Sequence, residues 1–215
     1  MDITVARKFR ANQEPGTGIS NDKLGMWIFL ASEVIFFAAL ISVVVALSLN
    51  PNEEVNLFRE HREPYARKAI ILATTNTFVL ILSSVFVVSA IDAIQKGNQR
   101  MMKVWLWLTL IGGAAFLYNQ GQEWAELSHI LHEEFGFAEG FAGGTESLFA
   151  AAFYTATGFH GLHVAIGVAL LLYVLVRAHR GDFTARRYNA IEMFGLYWHF
   201  VDLVWIILFT ILYLI

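Results

Sequence analysis

Cysteine is absent from all 215 residues. Disulfides, Cys-ligated zinc, iron–sulfur clusters and thiol nucleophiles are thereby excluded, and the redox compartment has no signature in cysteine usage. Proline is almost as scarce, with three residues, Pro15, Pro51 and Pro64, none inside a long apolar run. Charge is sparse too: charged residues make up 15% of the chain, against roughly 25% in a soluble domain. The net charge of −3 is too slight to point to nucleic acid or an acidic substrate as partner. The first 23 residues, MDITVARKFRANQEPGTGISNDK, hold no apolar core of a cleavable secretory signal, so the first hydrophobic run is expected to direct insertion itself. What is abundant is apolar: 57% hydrophobic residues and a mean hydropathy of +0.54.

A helix of about 20 apolar residues crosses a bilayer, and runs of 18 or more are candidates. Five such runs occur: Leu24–Ser48, broken only by Glu33, then Ala69–Ile91, Val104–Gln122, Ser147–Val176 and Met193–Ile215. With their flanks they predict spans of about 24–48, 69–92, 104–126, 147–176 and 191–215, in a single transmembrane domain over 24–215 preceded by a polar arm over 1–23. NPNEE, KGN and HRGDF punctuate the connections. A few separated helix-length runs cannot close a barrel, so the fold class is an all-α integral membrane protein, a bundle of five transmembrane helices.

Basic residues orient it. Arg7, Lys8, Arg10, Lys23, Lys96, Arg100, Lys103, Arg177, Arg180, Arg186 and Arg187 fall on one side of the bilayer, and only Arg59, Arg62, Arg67 and Lys68 on the other. The positive-inside rule places the N-terminus in the cytoplasm and the C-terminus outside. The expected location is the inner (cytoplasmic) membrane, crossed several times.

With that orientation, ~1.5 Å of rise per helical residue gives depth from the flanking cytoplasmic charge. Glu33 lies roughly 15 Å in, His199 and Asp202 roughly 18 and 22 Å, His163 and His160 roughly 21 and 25 Å. Five ionisable groups on three helices therefore share one depth band, near the middle of a hydrocarbon core about 30 Å thick. A charge at that depth costs at least ~2.5–3.5 kcal/mol, so these groups need partners. His160 and His163 are i, i+3 and share a helix face, as do His199 and Asp202.

Four readings of Glu33, His160, His163, His199 and Asp202 follow from residue type and spacing. His and carboxylate ligate iron, copper or zinc, although the His-Glu zincin spacings and a paired Glu-x-x-His arrangement are missing. Bis-histidine haem ligation between the fourth and fifth spans needs one histidine from each, which any two buried histidines could mimic. Chains of His and carboxylate also relay protons. A structural hydrogen-bond network that fixes helix register is the plainest account. Elsewhere, Gly158, Gly161 and Ala165 suit close helix approach. Trp105, Trp107, Trp124, Tyr173 and Tyr188 fit an interfacial aromatic belt, while the deeper Trp198 and Trp205 are expected to pack against protein. Glu123, Glu126, His129, His132, Glu133 and Glu134 (QEWAELSHILHEE) read as a solvated polar helix end at the external interface.

The stretch YWHFVDLVWIILF (Tyr197–Phe209) closely resembles the C-terminal signature of the haem–copper oxidase subunit III family, the cytochrome c oxidase subunit 3 family. ATGFHGLHVAIG (Ala156–Gly167) looks like that family's histidine-bearing helix, and SEVIFFAAL (Ser32–Leu40) its buried-glutamate helix, with Glu33 on the family's intramembrane carboxylate. TTNTFVLILSS (Thr74–Ser84) is similar to its Asn-Thr helix and LYNQGQEWAEL (Leu117–Leu127), more loosely, to the next. The matches fall in order and cover Lys23 to the end. The resemblance implies an accessory, non-redox subunit of a proton-pumping terminal oxidase, a cytochrome c or quinol oxidase, reducing O2 to water in aerobic respiration. It implies no catalytic, cofactor-binding or metal residues on this chain, with haem and copper in the partner. Catalytic subunit I, other respiratory-complex subunits and membrane phospholipid are the implied partners. Seven-helix members carry two further helices before the glutamate helix; five-helix bacterial members do not. The lipid cleft that those helices help form would here need a wall from a neighbouring subunit.

Three other functions compete with this one, among them a membrane cytochrome or di-metal enzyme, which a visible spectrum or metal analysis of the isolated chain decides. A subunit-III-like protein associated with a nitric oxide reductase is a close relative of the oxidase subunit, and genomic neighbours separate the two. A proton-coupled transporter is expected to show inverted repeats or Gly/Pro-broken spans, and the sequence shows neither.

Overall fold

The computed structural model describes residues 21–49, 63–135 and 148–214. They form five helices: α1 (Asn21–Leu49), α2 (Glu63–Gln95), α3 (Gln99–Phe135), α4 (Leu148–His179) and α5 (Asn189–Phe209), the last continuing as a π-helical turn over Thr210–Leu214. Each contains a segment long and apolar enough to cross a membrane. Among the described residues the one β pairing is an isolated Thr184–Arg187 bridge between α4 and α5. Helices suit this sequence because hydrocarbon offers no partner for a backbone amide, and a helix satisfies its own. The one proline within a described helix, Pro64, sits in the first turn of α2, where its missing N–H removes no helical bond.

Helix α2 starts before the expected span and α3 runs well past position 126. Hydropathy marks where lipid ends, whereas the helix continues through helix-forming residues such as Glu126 and Leu127.

Both short turns are built on a glycine in the left-handed region. Gly97 (φ 76°) and Gly181 (φ 78°) follow α2 and α4. Around the first, the Gly97 amide donates to Ile94 O at 2.9 Å and that of Asn98 to Ala93 O at 2.8 Å. The second repeats the pattern with Gly181 to Ala178 and Asp182 to Arg177, both at 3.2 Å. This double bond satisfies the last helical carbonyls, and glycine adopts the required φ without a Cβ penalty. Asn98 then caps α3, its Oδ1 accepting from the Met101 amide at 3.1 Å.

Helices α2, α3, α4 and α5 close a ring in that order, and α1 lies outside it across α4 and α5. The buried residues of α1 are Leu30, Phe37 and Val44, one per two turns. A helix apolar all round with so narrow a seam leaves most of its surface to lipid.

Lipid tails are as apolar as leucine, so the ring is held by close packing and interhelical hydrogen bonds. The tightest fit surrounds Trp198. A Cβ built on Gly113 of α3 or on Gly167 of α4 would lie 2.7 Å from its indole. Its Nε1 donates to Ser83 Oγ on α2 at 2.9 Å. Two turns further along α5, Trp205 Nε1 donates to Thr77 Oγ1 on α2 at 3.0 Å. Asn119 Nδ2 donates to Asn76 Oδ1 at 2.8 Å, joining α3 to α2. Gly158 and Gly161 face Trp124 at ordinary contact distances of 3.7 and 3.9 Å. The glycines that permit the closest approach are therefore Gly113 and Gly167, which spacing alone does not single out.

Candidate functional site

The five intramembrane groups are distributed over three places. Glu33 of α1 meets His163 of α4, with Oε2 and Nε2 3.1 Å apart. The α1 stripe that faces the bundle runs through Leu30, Glu33 and Phe37, so burying its apolar members carries the carboxyl inward. Phe37 packs edge-on to the His163 ring, centroids 5.0 Å apart, and Phe36 lies at 6.4 Å. On the other side Tyr197 of α5 donates to the His163 carbonyl at 2.9 Å.

His163 Nδ1 lies 2.7 Å from Phe159 O. A carbonyl only accepts, so Nδ1 carries a hydrogen. Nε2 and Glu33 Oε2 then share one proton: either a carboxyl O–H donates to Nε2, or an imidazolium N–H donates to a carboxylate. Both arrangements leave the pair neutral overall, the form in which two titratable groups are tolerated in hydrocarbon. Glu33 retains 19% and His163 12% side-chain exposure, so the pair is enclosed but not sealed.

His160, one turn away, does not join them. It is wholly buried, stacked on Trp205 with centroids 5.1 Å apart and flanked edge-on by Phe116 at 5.6 Å and Phe37 at 6.3 Å. Neither ring nitrogen has a hydrogen-bond partner among the described residues. Three residues of helix turn a side chain by 300°, and that offset points His160 into the ring while His163 faces α1.

His199 is half-buried and faces the seam between α1 and α5. Asp202 is buried behind it, close enough to interact electrostatically. The Ser84 hydroxyl of α2 approaches the Asp202 carboxyl without reaching full hydrogen-bond geometry, leaving Oδ1 and Ser84 Oγ buried side by side.

A sixth ionisable group is buried where a solvated helix end was expected. Glu123 of α3 is 1% exposed, its Oε1 accepting from Tyr213 Oη at 2.5 Å and its Oε2 from Gln120 Nε2 at 3.1 Å. Tyr213 reaches it from the π-helical turn that ends α5, where the wider winding changes the side-chain phase. The signal was present in the sequence: Phe116, Gln120, Glu123 and Leu127 continue one helix face, and all four are buried. Glu126, by contrast, behaves as a surface group, paired with Lys68 of α2 at 2.7 Å. Glu133 and Glu134 lie where no side chain is described. Among the described residues no three His, Asp or Glu side chains converge as a metal site requires.

The family model described as Cytochrome c oxidase subunit III matches residues 12–215. The chain is 35% identical over 193 residues to the cytochrome c oxidase subunit 3 of Thermostichus vulcanus, covering 89% of this chain and 86% of the relative. It is also 35% identical over 214 residues to that of Bacillus subtilis strain 168, covering 98% and 94%. A longer animal relative, from Loxodonta africana, is 32% identical over 191 residues, which are 89% of this chain and 68% of the relative. The helices that carry Glu33, His163, His199 and Asp202 all fall inside the residues matched by the family model, and the chain belongs to the cytochrome c oxidase subunit III family.

Proposed function

We propose that this chain is the accessory subunit III of a haem–copper terminal oxidase, seated in the inner (cytoplasmic) membrane with its N-terminus in the cytoplasm. It stabilises catalytic subunit I and supports proton uptake for the reduction of O2 to water, in a complex that pumps protons. The haem and copper belong to the partner subunit. The observation that carries this reading is the family match over residues 12–215. The Glu33–His163 pair adds a chemical role. It holds one transferable proton at mid-membrane depth, and the partial exposure of both groups leaves that proton exchangeable. His199, in the α1–α5 seam, and Asp202, beside Ser84 of α2, serve helix packing.

Isolating the tagged chain in mild detergent tests the proposal. The expected result is co-purification with a subunit that carries the haem spectrum and oxygen-reducing activity, while the separated chain shows neither haem absorbance nor stoichiometric copper, iron or zinc. Purification alone, or with a nitric oxide reductase, would overturn it.

A further inference from the structure

Helix α1 meets the ring along a heptad seam. Lys23, Met26, Leu30, Glu33, Phe37 and Leu40 follow at alternating steps of three and four, and each is buried or half-buried. Two of them are charged, and each has its own partner on the ring. Glu33 meets His163 of α4 at 3.1 Å, and Lys23 Nζ lies 2.9 Å from Glu192 Oε2 of α5. One turn before Glu192, Asn189 Nδ2 donates to Asp22 Oδ2 at 2.8 Å. These two contacts, at the N-terminal ends of α1 and α5, stand roughly 15 Å along α1 from Glu33. We propose that Asp22, Lys23, Asn189 and Glu192 are positioning residues for the proton-sharing pair: they hold α1 in register while the proton of Glu33 and His163 is away. This rests on the proton role given to that pair above.

The apolar part of the seam does not set the register by itself. Ile28, Val34, Ile35 and Val43 are exposed on other faces of α1. A rotated helix would bury an equally apolar face, and lipid covers whichever one is left. A polar residue at a seam position discriminates, because only one rotation gives it a partner. Glu33 meets that need only while its proton is in place. Phe159 O keeps the hydrogen of His163 on Nδ1, so loss of the shared proton to water leaves a carboxylate facing the bare Nε2. Both are acceptors, no hydrogen bond joins them, and one negative charge remains on the pair. The Lys23–Glu192 and Asp22–Asn189 contacts do not use that proton and persist through the step. A partly exposed ion pair shifts an equilibrium by up to about fivefold. That is decisive where competing rotations are nearly equal.

Absence of native cysteine allows spin labels to be placed at will on this chain in the assembled complex, with the complex lacking added cysteines as the blank. Gly25→Cys of α1 and Leu172→Cys of α4 are open positions, Gly25 with nothing close to its Cβ and Leu172 46% exposed. Glu33→Ala removes the contact with His163, as proton loss does, and leaves the N-terminal ties alone. The expected label distance in Glu33→Ala is single and narrow, as in wild type. Adding Lys23→Ala or Asp22→Ala is expected to broaden it or to create a second distance; Asp22→Ala does so without removing a basic residue. With Glu33 intact, Lys23→Ala and Asp22→Ala should each slow proton uptake by about two- to fivefold. The charge swap Lys23→Glu with Glu192→Lys should return uptake towards wild type. A narrow, wild-type distance in both double variants would overturn the proposal, as would slowed uptake that the swap fails to restore. Wild-type uptake in Glu33→Gln removes the proton role of the pair and this inference with it. Slowed uptake in Glu33→Gln, with distances unchanged in the double variants, removes this inference alone.

Discussion

His163 points Nε2 at Glu33 Oε2 across 3.1 Å while its Nδ1 is held by Phe159 O at 2.7 Å. The imidazole is thus fixed in tautomer and in aim, and the proton between the two helices is the one free variable. Glu33→Gln keeps a donor facing Nε2, so the complex is expected to assemble as wild type, while proton uptake slows because an amide cannot release the proton. Glu33→Ala leaves a buried ring nitrogen unpaired and should cost roughly 1–3 kcal/mol of stability as well. Thermal denaturation and proton uptake, measured side by side, separate the two effects; wild-type uptake in both variants would make Glu33 purely structural.

The two histidines of α4 are expected to behave oppositely. His160 stacks on Trp205, lies edge-on to Phe116 and has no hydrogen-bond partner among the described residues. His160→Leu should therefore change stability by no more than about 1 kcal/mol, since no bond is broken. His163→Leu strands the Glu33 carboxyl and should cost about 1–3 kcal/mol or more. Equal melting temperatures for the two variants would contradict this assignment.

Glycine substitutions probe the packing around Trp198. Gly113→Ala or Gly167→Ala puts a methyl 2.7 Å from the indole and should destabilise by about 1–3 kcal/mol through overpacking. Gly121 on α3 has open space around it, so Gly121→Ala should stabilise by up to about 1 kcal/mol from helix propensity. Detergent-denaturation midpoints of the three variants provide the comparison.

Tyr213→Phe removes the 2.5 Å bond to Glu123. Loss of a hydrogen bond to a buried carboxyl is expected to cost roughly 1.5–3 kcal/mol and to free the π-helical turn. Faster carboxypeptidase removal of the last residues, together with a lower melting temperature, is the expected readout. An unchanged digestion rate would show that the turn is held by packing alone.

The positive-inside rule predicts the topology from the distribution of basic residues. A reporter active only in the cytoplasm should give signal when fused at Gly181 and none when fused after Ile215. The reverse pattern would invert the orientation and the depths assigned to Glu33 and the histidines.

The span count was legible because the bilayer imposes a length: five runs of sufficient hydropathy can satisfy their backbones only as helices. The turns were legible at Gly97 and Gly181 for an equally local reason, the left-handed φ that ends each helix. Shared depth of Glu33, His160, His163, His199 and Asp202 followed from rise per residue. Depth is a coordinate along the helix axis, and one sequence carries it whole.

Rotation about that axis is what tertiary structure alone decided. His160 and His163 differ by a single turn in sequence and little in depth, yet one lies in an aromatic cage and the other bonds Glu33. Which neighbour a face meets depends on where the other helices stand, and in lipid an apolar face does not announce whether protein or acyl chain covers it. For the same reason Glu123, at the edge of the apolar run, read as solvated until Tyr213 from a distant π-helical turn closed over it. Composition and hydropathy determined that the chain crosses a membrane five times. Packing, which sums contacts between residues far apart in the chain, determined which of its buried polar groups meet.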